Sequence, residues 1–198
     1  PGSSIKPLIV YTPAFERGYD PNTIVDDHKF EGGPSNATNT YAGTIPLRYA
    51  VAKSLNTVAW QVYEQVTPKV GLQYLKNMNF SSIVKDDYTL ATSLGGFTKG
   101  VSPLEMASAY AALENDGMFR QPNCIKSIVD ADENVVYSSQ MAEVSIYEKD
   151  ATRTMTDVLT TVMDSGTGAA LKLSNMPCAG KTGTTNDHKD GWFVGYTR

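Results

Sequence analysis

Cysteine and histidine are scarce, two of each in 198 residues, and the scarcity removes several classes of function. Cys124 and Cys178 are too few for a disulfide framework, and neither has metal-ligand spacing with His28 or His188. Both cysteines read as small hydrophobes of the core, and no metal or other cofactor is expected. Long apolar runs are missing too. No stretch approaches the roughly 18 consecutive apolar residues of a membrane span, and the N-terminus lacks a secretory signal pattern, so any export signal or anchor is expected outside this chain. Basic clusters are also absent: 17 basic residues face 21 acidic ones for a net charge of -4, so nucleic acid is not an expected partner. The chain has no internal repeat and no low-complexity tract.

What is there is ordinary: 41% hydrophobic and 19% charged residues, enough for one domain or part of one with a real core. Ser3 to about Phe15 reads as a helix left near Gly18, with apolar surface from Ile5, Leu8, Ile9 and Val10. Pro7 is its weak point, because beyond the first turn a proline removes a backbone hydrogen bond. Asp20 to Thr44 is rich in Gly, Pro, Asn and Thr without periodicity, which predicts a long surface loop. Helices are predicted over Leu47 to Lys53 and Thr57 to Val66, interrupted at Ser54-Leu55-Asn56, and a third starts at Thr67-Pro68. Ser102-Pro103-Leu104-Glu105 combines an N-cap, a proline and a capping-box glutamate, so a buried Ala-rich helix follows, closed by a C-cap at Gly117. Residues 124–147 alternate and turn as strands do, with Val135-Val136-Tyr137 after a turn from Asp130 to Asn134. Met155, Val158, Leu159, Val162 and Met163 recur at helical spacing before Gly166-Thr167-Gly168. The end reads as a hairpin: Ala179 to Thr185, a polar turn from Asn186 to Asp190 containing an exposed His188, and Gly191 to Thr197.

Three short motifs carry candidate chemistry. Gly180-Lys181-Thr182-Gly183 is not a phosphate cradle, since a P-loop needs glycine five positions before the G-K pair and Asn175 stands there. The alternative is a Lys-Thr-Gly strand beside a nucleophilic serine, which needs two partner motifs. Ser3-Ser4-Ile5-Lys6 is the first. On a helix, residues three apart share a face, so the Lys6 amine can reach the Ser3 hydroxyl. Lysine takes a proton only as the free amine, which requires desolvation or a second cation, and Lys181 is available as that cation. A capping serine beside a surface lysine is the plainer alternative.

Ser54-Leu55-Asn56 is the second partner, in a break between helices where a hydroxyl suited to proton relay and a carboxamide suited to holding a peptide bond can point the same way. Loop capping is its plainer alternative. In the third, Lys181-Thr182-Gly183-Thr184-Thr185, alternation sends Thr182 and Thr184 to one face and Lys181 and Gly183 to the other, so a twist or bulge near Gly183 is expected to bring Lys181 into the cleft. Gly183 admits a ligand backbone, and threonine hydroxyls beside a cation suit a carboxylate. Trp192 and Phe193 on the adjacent strand read as packing beneath the sheet, with substrate contact as the competing reading. Asp187 and Asp190 read as turn residues.

S-x-x-K, S-x-N and K-T-G stand in this order, Ser54 lying 51 positions after Ser3 and Lys181 lying 125 after Asn56. The set resembles the penicillin-binding proteins, active-site serine acyltransferases that share a fold with serine β-lactamases, although this chain has S-L-N where S-D-N is the usual form. "PGSSIKP", "AVAKSLNTVAW" and "KTGTTNDHKDGWFVGYT" are most similar to the class A, bifunctional members.

The resemblance implies an α+β fold of the β-lactamase/transpeptidase type, an antiparallel sheet packed against helices, with residues 1–198 a core portion of one domain that is incomplete at both ends. It implies a D,D-transpeptidase that cross-links peptidoglycan stem peptides through an acyl-enzyme and is blocked by β-lactam antibiotics. Ser3 would be the nucleophile, Lys6 its general base, Ser54 and Lys181 the proton relay, and Asn56 the holder of the substrate amide. Thr182 and Thr184 would bind the terminal carboxylate beside Gly183 and Thr185, and the N–H groups of Ser3 and Thr184 would form the oxyanion hole. The implied partners are a D-Ala-D-Ala donor, an amine acceptor, the remaining segments of the domain and an upstream glycosyltransferase domain, on the extracytoplasmic face of a bacterial membrane. A D,D-carboxypeptidase and a non-enzymatic β-lactam sensor carry the same motifs. A serine β-lactamase is less well matched, since no glutamate has the E-x-x-L-N context of one common deacylating base.

Overall fold

The computed structural model describes residues 1–140, 142–185 and 189–197. The opening segment carries bulky apolar residues on every side and forms the buried axis of the molecule: Ile5, Leu8, Ile9, Val10, Tyr11 and Ala14 have 0% exposure. It is one helical run wound in three ways, a 3₁₀ turn at Gly2–Ile5, a π turn at Pro7–Tyr11 and the α-helical turn α1 at Thr12–Phe15. This winding absorbs the expected weakness at Pro7. Lys6 N–H bonds Ser3 O, and the Thr12 N–H and hydroxyl both reach back to Pro7 O.

The segment expected to be a loop from Asp20 to Thr44 contains two short strands, β1 (Ile24–Asp27) and β2 (Gly43–Pro46), paired antiparallel. Four residues each, with acidic residues in one and Gly and Pro at the ends of the other, are too few for a period-2 pattern to stand out. Helix α2 (Leu47–Ala52) follows, then a turn through Ser54, then α3 (Asn56–Val66) and α4 (Pro68–Asn77). Helix α5 (Pro103–Glu114) starts with the expected capping box between Ser102 and Glu105. It stops before Gly117: Asp116 and Gly117 both take positive φ, and Gly117 N–H returns to Ala112 O at 2.9 Å.

Beyond it come β3 (Met118–Arg120), β4 (Ser127–Val129), β5 (Val135–Ser138) and β6 (Glu143–Ser145); β3 pairs with β6, and β4 with β5. Helix α6 (Lys149–Ser165) buries the five apolar residues expected of it, and β7 (Cys178–Thr184) pairs with β8 (Gly191–Thr197). Every pair is antiparallel, and the β7–β8 ribbon packs on α5, α6 and the opening turn, so the architecture is the expected mixture of helices and antiparallel strands. Asn186, Asp187 and His188 lie outside the described residues. Among the described residues no helix is long and apolar enough to cross a membrane.

Two expectations about burial fail. Cys124 is exposed and Cys178 half-buried, because Cys124 falls in the surface segment leading into β4 and Cys178 opens the β7 edge. Phe193 does not pack beneath the sheet: it is 45% exposed, its ring lying across Gly180 and Gly195, where absent side chains leave room.

Candidate active site

The three motifs converge. The opening helix carries Lys6, the turn between α2 and α3 carries Ser54 and Asn56, and β7 carries Lys181. Lys6 and Lys181 are both 0% exposed, an arrangement that charge alone would forbid without compensating acceptors. The acceptors are present. Lys6 Nζ donates to Ser54 O and Asn56 Oδ1, each at 2.8 Å, with Leu55 O at 3.4 Å and Ser54 Oγ at 3.5 Å. Lys181 Nζ donates to Ser54 Oγ at 2.8 Å and to Thr182 O at 3.0 Å.

Burial pushes the Lys6 amine well below the usual lysine range, and the neighbouring Lys181 charge pushes it further the same way. Burial brings Lys181 down to about 7. Both shifts favour the free amine over the ammonium form, the direction that the S-x-x-K reading calls for.

The turn that presents Ser54 is unusual in its backbone. Ser54 has φ 58, in the left-handed region, between Lys53 at the end of α2 and an extended Leu55 before α3. Its N–H bonds Val51 O, and Leu55 N–H bonds Ala50 O, so the turn is tied back to α2 while the Ser54 carbonyl and hydroxyl face the two amines.

Lys181 needs no bulge to arrive there. The β7–β8 register is unbroken from Cys178↔Thr197 to Thr184↔Gly191, and the face of β7 bearing Lys181 and Gly183 is the one pressed against the opening helix. The contact is backbone to backbone. A Cβ on Gly183 would stand 2.2 Å from Pro1 O, and one on Gly2 would stand 2.4 Å from Thr184 O, so glycine at both positions is what allows the strand and the turn to meet. Ser4 fixes the turn from within, its hydroxyl donating to Pro1 O at 2.7 Å, while Tyr110 of α5 donates to Ser4 O at 2.6 Å.

Ser3 stands half-buried at this junction, and among the described residues its Oγ makes no hydrogen bond. The sequence suggested that Lys6 would reach it directly; in the structure the donor bonds of Lys6 go to Ser54 and Asn56 instead. Thr182 faces away from the lysines and shares a hydrogen bond of 2.6 Å with Thr167, a residue that sequence reasoning left aside in the Gly166-Thr167-Gly168 turn. Thr184 is exposed, and Thr185 exchanges hydrogen bonds with Asp190, which closes the hairpin turn as expected of it. Trp192 pairs across from Gly183, half-buried against the core. With Thr184, Thr185, Gly2 and Phe97 it lines an open cleft of about 610 Å³ that borders the site.

Comparison with known proteins places the chain in a family. The family model described as the penicillin binding protein transpeptidase domain matches residues 1–198. Penicillin-binding protein 4 of Bacillus subtilis is 34% identical over 201 residues, covering 100% of this chain and 32% of its own. Penicillin-binding protein 1A/1B of the same organism is 33% identical over 218 residues, covering 100% of this chain and 24% of its own. The chain thus spans about a third or less of the length of these relatives. Among solved structures, the D,D-transpeptidase domain of a peptidoglycan glycosyltransferase from Eggerthella lenta superposes with a TM-score of 0.84 at 25% identity, covering 100% of this chain and 57% of that one. Fold, motif order and relatives agree, and the chain belongs to the penicillin-binding protein transpeptidase domain family.

Proposed function

We propose that these residues form the catalytic core of a serine D,D-transpeptidase that cross-links peptidoglycan stem peptides. The observation that carries the reading is the convergence of two fully buried lysines on the Ser54 hydroxyl, beside a half-buried serine whose Oγ makes no hydrogen bond among the described residues. A neutral lysine amine has two hydrogens and one lone pair. Of the four acceptors around Lys6 Nζ, Ser54 O and Asn56 Oδ1 are the nearest at 2.8 Å each; in this reading they take the two hydrogens of the neutral amine, and the lone pair is kept for the Ser3 proton.

In this reading Ser3 Oγ attacks the penultimate D-Ala carbonyl while its proton passes to the Lys6 amine. The oxyanion sits between the N–H groups of Ser3 and Thr184. Thr185 N–H bonds Asp190 O, so by antiparallel alternation Thr184 N–H points off the free edge of β7 toward the incoming substrate. Collapse of the intermediate expels the terminal D-Ala, whose nitrogen takes a proton through Ser54 and Lys181. An amine of a second stem peptide then attacks the acyl-enzyme ester and frees Ser3. Asn56 holds the donor's amide, and Thr182 and Thr184 with Gly183 receive its carboxylate. A β-lactam enters as a D-Ala-D-Ala mimic and remains as an ester on Ser3. The whole protein is read as acting outside the cytoplasmic membrane, with an anchor and a glycosyltransferase domain in its other segments.

Intact mass of the full-length protein after incubation with benzylpenicillin, beside a Ser3→Ala variant, tests this. One stable adduct on the native protein and none on the variant is the expected result. An adduct on both, or on neither folded protein, overturns it.

A further inference from the structure

The loop joining β1 to β2 contributes none of the reacting groups assigned above, yet it dictates how one of them is presented. Asp27, at the end of β1, is 1% exposed. Among the described residues its carboxylate is met by hydrogen bonds alone: Asn36 Nδ2 at 2.7 Å and Thr57 Oγ1 on one oxygen, Ala42 N–H at 2.7 Å on the other. A buried carboxylate gripped by several donors is a rigid anchor, since each donor it lost would leave charge uncompensated.

Asn36, 3% exposed, is the next link and uses its whole amide. Nδ2 donates to Asp27 and to Thr40 O at 3.0 Å; Oδ1 accepts from Asn56 N–H at 2.7 Å and from Thr57 N–H at 3.4 Å. Helix α3 has no side-chain cap of its own, because Leu55 occupies the capping position. Asn36, twenty positions upstream, supplies the missing acceptor for its first turn.

The last link is the Asn56 side chain. A carboxamide has almost the same shape either way round, so its partners decide which end faces where. Ser35 O accepts from Asn56 Nδ2 at 2.9 Å, and this turns Oδ1 toward Lys6 Nζ at 2.8 Å. Reversed, the amide would offer Lys6 a donor in place of an acceptor, and the lysine hydrogens and lone pair would have to rearrange.

We propose that Asp27 and Asn36 are positioning residues for Lys6: through Asn56 and the first turn of α3 they fix the acceptors that aim its lone pair at Ser3. This rests on the roles given above to Ser3 and Lys6. The charged group that bears on Lys6 is Lys181, from β7; Asp27 reaches Lys6 only through Asn36 and Asn56.

The test is benzylpenicillin acylation of the full-length protein, resolved into non-covalent affinity and acylation rate across pH, for wild type, Asn36→Ala, Thr57→Val and Thr57→Ser. Thr57→Ser keeps the hydroxyl that Asp27 accepts, and Thr57→Val removes it. Asn36→Ala is expected to lower the acylation rate by roughly 10- to 100-fold, the scale of a displacement of about 1 Å, with affinity little changed. Its acid limb should move to lower pH, since an acceptor favouring the ammonium form is lost. A merely structural role would lower the active fraction and leave the limb in place. Thr57→Val should follow Asn36→Ala, and Thr57→Ser should restore the rate.

A folded Asn36→Ala protein that acylates within about twofold of wild type on the same pH limb overturns the inference and leaves the Ser3 reading intact. If Asn36→Ala does not fold, the Thr57 pair decides, and equal rates for Val and Ser overturn it. Failure of wild type itself to acylate overturns both, because nothing is then being positioned.

Discussion

Lys181 donates to the hydroxyl of Ser54 at 2.8 Å across 127 positions of sequence. The same hydroxyl lies 3.5 Å from Lys6, so a single oxygen on a turn joins an amine of the buried helix to an amine of the strand. Two ammonium groups this close and this dry would repel strongly, and the pair is suited to sharing at most one proton.

The pH dependence of acylation follows from that pair. In the proposed mechanism Lys181 and Lys6 both work as free amines, and burial places Lys181 at about 7. The acylation rate is expected to rise through about pH 7 and level off above it. Stopped-flow acylation from about pH 5 to about pH 9 measures this, and a rate already flat at the acid end would remove lysine titration from the mechanism.

Replacing Lys181 by methionine separates the two amines. Loss of the relay is expected to cost about 10²- to 10⁴-fold in acylation rate. The limb near pH 7 should disappear with Lys181, and any limb that remains reports Lys6 without its positive neighbour. A limb unchanged near pH 7 would mean that Lys181 does not set it.

Stability carries the same signature. A lysine whose folded pKa is depressed binds fewer protons in the folded than in the unfolded state between the two values, so folding grows more favourable as pH rises from about 7 toward the ordinary 10.5. Below that window the penalty is constant. Urea midpoints for wild type and Lys181→Met across the window are expected to differ in slope, the wild type being the steeper of the two.

The contact between the opening turn and β7 is predicted to be intolerant of a single methyl group. Gly183→Ala places a Cβ 2.2 Å from Pro1 O, against backbone that has no rotamer to give. We expect a loss of about 1–3 kcal/mol in stability, read by thermal melting, together with loss of the penicillin adduct. A variant melting like wild type and acylating normally would show that the two backbones can separate without harm.

Tyr110→Phe tests the support beneath the proposed nucleophile. Its hydroxyl bonds Ser4 O at 2.6 Å, and without it a buried carbonyl is left unpaired at a cost of about 1–3 kcal/mol. Chemical denaturation should show this directly.

Much of the candidate site was legible because the residues that converge there stand in short motifs: Ser3 and Lys6 on one helix, Ser54 and Asn56 in one break, Lys181 beside glycine on one strand. The capping box at Ser102 and Glu105 and the apolar stripe of α6 were legible for the same reason, being local patterns. What escaped depends on distance in sequence. The hydrogen bonds of Lys6 to Ser54 and Asn56 in place of Ser3, the pairing of Thr167 with Thr182, and the anchoring of α3 by Asn36 join residues that carry no local mark of one another. Strands β1 and β2 escaped because four residues give alternation too little room. The bulge expected at Gly183 was unnecessary because the lysine-bearing face of the strand already meets the helix.

The left-handed backbone of Ser54 gives this position a divided inheritance. A serine held there costs of order 1 kcal/mol that glycine would not, so selection for a robust fold alone would favour Ser54→Gly. The exchange would remove the one oxygen that both lysines approach. If the proposed chemistry were no longer under selection, glycine would be the expected drift here, whereas a chain that still uses that oxygen would keep the less comfortable residue.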